Sequence, residues 1–257
     1  MKRAFLVTSS IALDPNKPFK GTSTRTIFST DERLEQTIFT INNLHQIDPD
    51  ADILFLDSSA QKFGDLNVLR NQIQNLTYIQ LEQMNPAIAE VVRTHPNKSH
   101  CECLMMLEFF KFWKKKLREY DFITKICGRY IIYNDTYDPK VFQPNLTDKF
   151  FFKKPMMWDE RFYGHMKDAY PEEMIASGLL GGHYTVTHAF GKDRLDHYET
   201  LMALCCQYTD EGQKMYGLDV EYALYYFMEL LGFNKDVLNV PWVVLGRCGV
   251  TGKEYTY

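Results

Sequence analysis

An α/β architecture, with a mixed but mostly parallel sheet flanked by helices, follows from three features of the sequence. Short apolar runs alternate with stretches of helical length and periodicity through the first half of the chain. Several of the apolar runs end in charged or hydroxyl residues, as strands do at the edge of a sheet that meets a ligand. The chain has 257 residues and 45% hydrophobic content, enough for one sizeable core, so residues 1–257 are expected to form a single domain.

The elements follow in order. AFLVTSSIAL (4–13) reads as the first strand and is followed by the polar loop DPNKPFKGTSTR, ending at Arg25. Ser29 and Glu32 form a capping box, and Leu34, Ile38, Ile41 and Leu44 then recur at helical spacing. ADILFLDSS (51–59) and LTYIQL (76–81) are the second and third strands. Ser99 and Glu102 make a second capping box ahead of a helix that is apolar at Leu104, Leu107, Phe110 and Leu117, with a basic end suited to the helix dipole. FITKICGRYIIYND (122–135) begins as the fourth strand. Alternation puts Lys125, Cys127 and Arg129 on one face, while Ile123, Ile126 and Tyr130 break the pattern and end the strand near Gly128.

The second half is less regular. KFFFKKPMMW (149–158) suits an edge strand, and Gly181-Gly182 lies in a strand-and-turn region. Two helices are expected over about 194–208 and 219–231, the second apolar at Val220, Leu224, Phe227 and Leu231. VLNVPWVVLGRCG (237–249) closes as a late strand that Pro241 confines to an edge.

Net charge is −4, so there is no general basic field of the kind that nucleic-acid partners require. Six cysteines lack a C-x-x-C pair, and Cys101-Glu102-Cys103 has no distant match for a zinc site. Free thiols fit a reducing, cytoplasmic setting. Thr8, Ser9 and Ser10 interrupt the N-terminal apolar run, which reads as a strand and not as a signal peptide. No run approaches the roughly 18–20 apolar residues of a membrane span. The glycine-rich dinucleotide fingerprint, the P-loop, H-E-x-x-H and G-x-S-x-G are all missing.

What remains is a set of charged residues at strand ends. Arg25 follows the first strand, Asp57 ends the second, and Lys125 and Arg129 end the fourth. A carboxylate there can accept hydrogen bonds from a ribose or base, and cations can hold a pyrophosphate. Each also has a structural reading. Asp57 caps a helix, Arg25 is a solvated loop residue, and Lys125 pairs with Asp121 or Glu108.

The order TSS…TSTRTIFSTDERLEQTIFTINNL…ADILFLDSS…KICGRY resembles nucleotide-sugar-dependent glycosyltransferases of the GT-A fold, of the kind found in surface-polysaccharide loci and in viruses. The likeness covers about the first 135 residues, and K-x-x-G-R-Y and E-R-x-x-Q-T are its most specific parts. It implies a nucleotide-sugar-binding half over 1–135 and an acceptor half over 136–257. Thr8, Ser9, Arg25 and Asp57 would line the nucleotide pocket, with Lys125 and Arg129 facing the sugar diphosphate. The implied reaction is hexosyl or pentosyl transfer from a nucleotide-diphosphate donor to a carbohydrate hydroxyl, as in polysaccharide biosynthesis. A nucleotidyltransferase and a catalytically inactive sugar-binding module are the rivals.

Such enzymes usually hold Mn²⁺ or Mg²⁺ with an Asp-x-Asp pair after the fourth strand. Here YNDTYD separates Asp135 from Asp138 by two residues, and Asp50-Ala51-Asp52 precedes a strand and suits a turn. Either Asp135, with Asp138, holds a metal on the pyrophosphate, or Lys125 and Arg129 stabilise the leaving diphosphate in its place. By the same resemblance, Gly181-Gly182-His183 followed by GLDVEYALYYF marks Asp219 or Glu221 as the base for the acceptor hydroxyl. Helix propensity alone gives Asp219 as an N-cap and Glu221 as a first-turn acid. His183 and His188 read as structural, and Met156, Met157, Trp158 and Tyr163 either platform a sugar or pack a core.

Overall fold

The computed structural model describes residues 1–19, 22–157, 176–178, 181–211 and 219–256. Four apolar runs become parallel neighbours. These are β1 (Arg3–Ser9), β2 (Asp52–Asp57), β3 (Leu76–Gln80) and β4 (Phe122–Cys127), with β1 between β2 and β4. On the far side of β4 lie β9 (Thr187–Gly191), antiparallel to it, then β6 (Phe150–Phe152) and β10 (Val237–Asn239). The seven-stranded order is β10-β6-β9-β4-β1-β2-β3, so strands from both halves of the sequence share one mixed, mostly parallel sheet.

Side-chain alternation splits the core into two layers. Ala4, Leu6, Leu54 and Leu56 pack under α4 (Pro86–Thr94), α5 (Lys98–Leu117), α6 (Leu195–Glu211) and α7 (Val220–Leu230). Phe5, Val7, Ile53 and Phe55 face α1 (Thr30–Ile47) and α2 (Gly64–Gln72). Strands buried on both faces explain the unbroken apolar runs.

The Ser29–Glu32 capping box forms as expected. The second one does not: Asn97 is the N-cap of α5, its side chain accepting from the backbone of Ser99 and His100. Glu102 is thereby left for another role. The late apolar run also divides. β10 ends at Asn239, and β11 (Val244–Arg247) joins a small sheet with β5 (Tyr130–Ile132) and β12 (Glu254–Thr256). Gly181-Gly182 is the short strand β8, paired with β7 (Met156–Met157). His183 and His188 are buried against the Phe152 ring and hydrogen-bonded to Asn234 and Tyr198, a packing role. Trp158 and Tyr163 lie outside the described residues.

Candidate functional site

The strand ends meet at Gly128. Its N–H donates to the Thr8 carbonyl at 2.8 Å, and a Cβ placed there would lie 2.9 Å from the Ser9 Cβ. Only glycine lets β4 finish this close to β1. The chain turns at 128–129, and Arg129 leaves the face that Lys125 occupies. Lys125 meets α5, whereas Arg129 packs toward α1 and the loop at Gly249. The two cations expected to share one face are therefore separated.

Beside this turn, at the carboxyl ends of β1 and β4, opens a cleft of about 250 Å³. Thr8, Ser9, Arg25, Arg129 and Glu221 line it, as do Arg33, Lys98, Glu102, Cys127, Thr185 and Cys248. Open α/β sheets bind ligands at this edge.

Lys125 lies under the cleft instead of in it. Its Nζ donates to the Glu102 carboxylate, to the Thr185 carbonyl at 3.0 Å and to the Cys127 sulfur at 3.1 Å. Its partner is Glu102, from the second turn of α5, and not Asp121 or Glu108, because Ile123 and Lys125 point to the α5 layer. Burial works to raise the Glu102 carboxyl, but the charges of Lys125 and Lys98 hold it below its ordinary value. The Thr185 hydroxyl then donates to Glu221 at 2.8 Å, so one network runs Glu102–Lys125–Thr185–Glu221. Burial, with Asp219 adding its charge, pushes the Glu221 carboxyl up to about 7.

Opposite stand the arginines. Arg33 is 2% exposed, and its guanidinium donates to the carbonyls of Ser10 and Ile11 and to the Thr26 hydroxyl, all neutral acceptors. Burial first, and the neighbouring Arg129 charge second, push the Arg33 guanidinium well below its ordinary value. Arg129 has a buried Nε without a partner among the described residues. A Cβ on Gly249 would sit 3.2 Å from Arg129 and 3.4 Å from Arg33, so the two guanidinium groups flank one glycine. Two like charges held together without a carboxylate among the described residues make a site for an anion.

Arg25 is 1% exposed, contrary to a solvated loop residue. It donates to the carbonyls of Lys17, Val92 and His95, each at 3.0 Å, and to the Cys101 sulfur at 3.6 Å, and its guanidinium lies 4.1 Å from the Phe19 ring centre, tying the loop after β1 to α4 and α5. Asp57 is fully buried and is not part of the cleft lining. One of its oxygens accepts from Ile11 N, Ser59 N and the Ser59 hydroxyl, the other from the Tyr78 hydroxyl at 3.2 Å. It fastens the loops after β1 and β2 and caps no helix, since α2 begins only at Gly64.

Asp135 is exposed in a separate pocket with Asn42, Asn43 and Tyr133, and Asp138 caps a single 3-10 turn by accepting from Lys140 N. Asp52 opens β2, at the opposite edge of the sheet from the cleft. The described residues thus bring neither aspartate pair to the cleft. Asp219 is the N-cap residue of α7; its backbone carbonyl accepts from Tyr222 N and Ala223 N, and its side chain lies outside the cleft lining. Glu102 and Glu221 are the described carboxylates lining the cleft, one paired with a lysine and the other displaced toward its neutral form, a poor donor set for a divalent cation. His95, His100 and Asp210 form a cluster elsewhere, with ligand atoms within 4.8 Å. There His95 Nδ1 accepts from Asn97 N, which leaves the proton on the Nε2 that faces Asp210.

Arg33, Glu102 and Thr185 escaped the sequence reading. Arg33 is within the E-R-x-x-Q-T stretch and would have been found by asking why a buried helix face carries arginine. Glu102 was hidden by its capping-box spacing, and Thr185 carries no sequence signal.

No family model and no curated protein matches the sequence. Among solved structures, core-mannan synthase A from Aspergillus fumigatus, in its Mn/GDP form, superposes with a TM-score of 0.54 at 10% identity, over 95% of this chain and 74% of that one. The galactosyltransferase LgtC, in complex with donor and acceptor sugar analogues, gives 0.46 at 11% identity, over 92% and 72%. PaToxG glycosyltransferase gives 0.46 at 11%, over 90% and 70%. The likeness to core-mannan synthase A shows the GT-A type of α/β fold.

Proposed function

We propose that the chain is a glycosyltransferase that moves a hexosyl or pentosyl group from a nucleotide-diphosphate donor to a carbohydrate hydroxyl. The observation that carries this reading is the pairing of Arg33 and Arg129, two guanidinium groups without a carboxylate partner among the described residues, at the strand-end cleft of a GT-A-type fold. A diphosphate suits that pair: Arg129 turns its donors to phosphate oxygens, while Arg33, already hydrogen-bonded to Ser10, Ile11 and Thr26, adds its charge from beside it. Lys98 at the rim adds a third charge. Thr8, Ser9 and Arg25 wall the nucleoside end, with Phe19 and Leu13 beside them as apolar surface for a base. Lys125 acts from beneath by holding Glu102, and Asp57 by fixing the two loops, so both position the donor site without touching the donor.

The departing diphosphate gains negative charge as the glycosidic bond breaks, and fixed cations stabilise that charge without reorganisation. Glu221 lies in the same cleft and takes the proton of the acceptor hydroxyl. Its displacement to about 7 makes it a better base than an ordinary carboxylate, with Asp219 supporting that displacement through its charge. The cations replace a metal on the diphosphate, and Asp135 takes no part in it. The donor half over 1–135, a second half over 136–257 that acts on the acceptor by supplying the base Glu221, and a cytoplasmic place in polysaccharide biosynthesis belong to the same proposal.

Thermal-shift screening against UDP-, GDP-, dTDP- and CMP-sugars, with Mn²⁺ and with EDTA, tests it. Stabilisation by one nucleoside diphosphate sugar that survives EDTA is expected. No response to any nucleotide refutes the reading. A response without turnover over an acceptor panel makes the chain a binding module.

A further inference from the structure

Two shallow pockets continue from the cleft along α1. The first shares Arg129 and Tyr255 with the cleft and runs past Gln36, Phe39, Thr40 and Ile131. The second shares Phe39 and Ile131 with the first and adds Asn42, Asn43, Gln46, Tyr133, Asn134 and Asp135. Each has a volume of about 380 Å³. Together they make one groove leading away from the site of transfer.

Its lining is unusual for bare surface. Phe39 and Tyr133 are 63% and 50% exposed, among the most exposed large apolar side chains described. Around them stand the amides of Gln36, Asn42, Gln46 and Asn134, and the Gln36 Oε1 is buried without a partner. Asn43 is spent internally: it donates to the Ile132 carbonyl and to Asn134 Oδ1, and accepts from Ile132 N. These bonds fix the backbone that carries Tyr133 and Asn134. Exposed aromatic faces offer apolar area to the C–H faces of a sugar ring, and side-chain amides present both donors and acceptors to its hydroxyls. A protein partner would call for a more continuous apolar patch than two rings spaced by amides and by the exposed Arg247–Glu254 ion pair.

We propose that this groove binds an oligosaccharide of more than one ring, the acceptor of the transfer proposed above, with its reacting end toward Arg129 and Glu221. The proposal rests on that reading for the word acceptor; the carbohydrate site itself stands on the groove. It also gives Asp135 a place, as a hydroxyl acceptor at the groove's far end.

The test is a microarray of defined mono- to hexasaccharides, probed with labelled protein, followed by titration of the best hit into wild type and into the Phe39→Ala/Tyr133→Ala variant. Both rings are exposed, so the variant should melt like wild type; Asn42→Trp, which fills the groove, gives a second reading should it not. The expected result is binding to at least one oligosaccharide that weakens tenfold or more in either variant, with the nucleotide thermal shift unchanged. With turnover, the acceptor KM rises and kcat holds. Absence of any oligosaccharide hit, equal binding by the variants, or a dimer abolished by Phe39→Ala overturns the proposal. Oligosaccharide binding lost in the variants, without a nucleotide response in wild type, keeps the groove and removes the glycosyltransferase reading.

Discussion

Replacing Glu221 by glutamine removes a charge while keeping an oxygen for the Thr185 hydroxyl, so stability and chemistry should move in opposite directions. Displacement of the carboxyl from 4.5 to about 7 corresponds to about 3 kcal/mol at 1.36 kcal/mol per pH unit. Solvent entering the cleft lowers that figure. The sign follows from linkage: the folded protein binds this proton more tightly than the unfolded chain does. The protonated side chain therefore contributes fully below about pH 4.5, and the contribution is lost as pH rises toward 7. Urea unfolding from pH 4 to 8 should show wild type losing up to about 3 kcal/mol relative to Glu221→Gln across that window. Transfer in wild type should rise with pH toward a plateau above about 7, and the variant should retain about a hundredth or less of the rate. Parallel stability profiles for the two proteins would refute the buried-carboxyl argument. An unchanged rate in the variant would refute the base assignment.

Four other outcomes follow from the same geometry. Lys125→Met removes the ion-pair partner of Glu102, leaving only the more distant Lys98 charge, and should cost about 3–5 kcal/mol in chemical denaturation, with much of the loss recovered in a Lys125→Met/Glu102→Gln double variant. Arg129→Ala should abolish stabilisation by nucleoside diphosphates while leaving the ligand-free melting temperature nearly unchanged, because its side chain holds no ion pair among the described residues; Asp135→Asn should leave nucleotide binding and its EDTA response as they are. Gly128→Ala, which brings a methyl group within 2.9 Å of the Ser9 side chain, should destabilise by about 1–3 kcal/mol and weaken donor binding by forcing β4 away from β1.

The strand runs at 4–9, 52–57, 76–80 and 122–127 were legible because a strand buried on both faces is apolar throughout, and the Ser29–Glu32 cap because it is local. The strand-end position of Thr8, Ser9 and Arg129 was legible for the same reason. Partnership was not. Lys125 in an apolar run announces that it needs a carboxylate, but which one depends on α5 crossing β4 with Glu102 inward. Arg25 and Asp57 carry charges in polar surroundings, and only tertiary contacts bury them. The separation of Arg129 from Lys125 comes from a two-residue turn, and the meeting of Arg129 with Arg33 brings together residues 96 positions apart. Local pattern determined the strands, the glycine between them and the presence of cations at their ends. Long-range packing decided which charges neutralise one another and which are left facing the cleft, because a charge pair is a matter of distance in space and sequence fixes distance only between near neighbours.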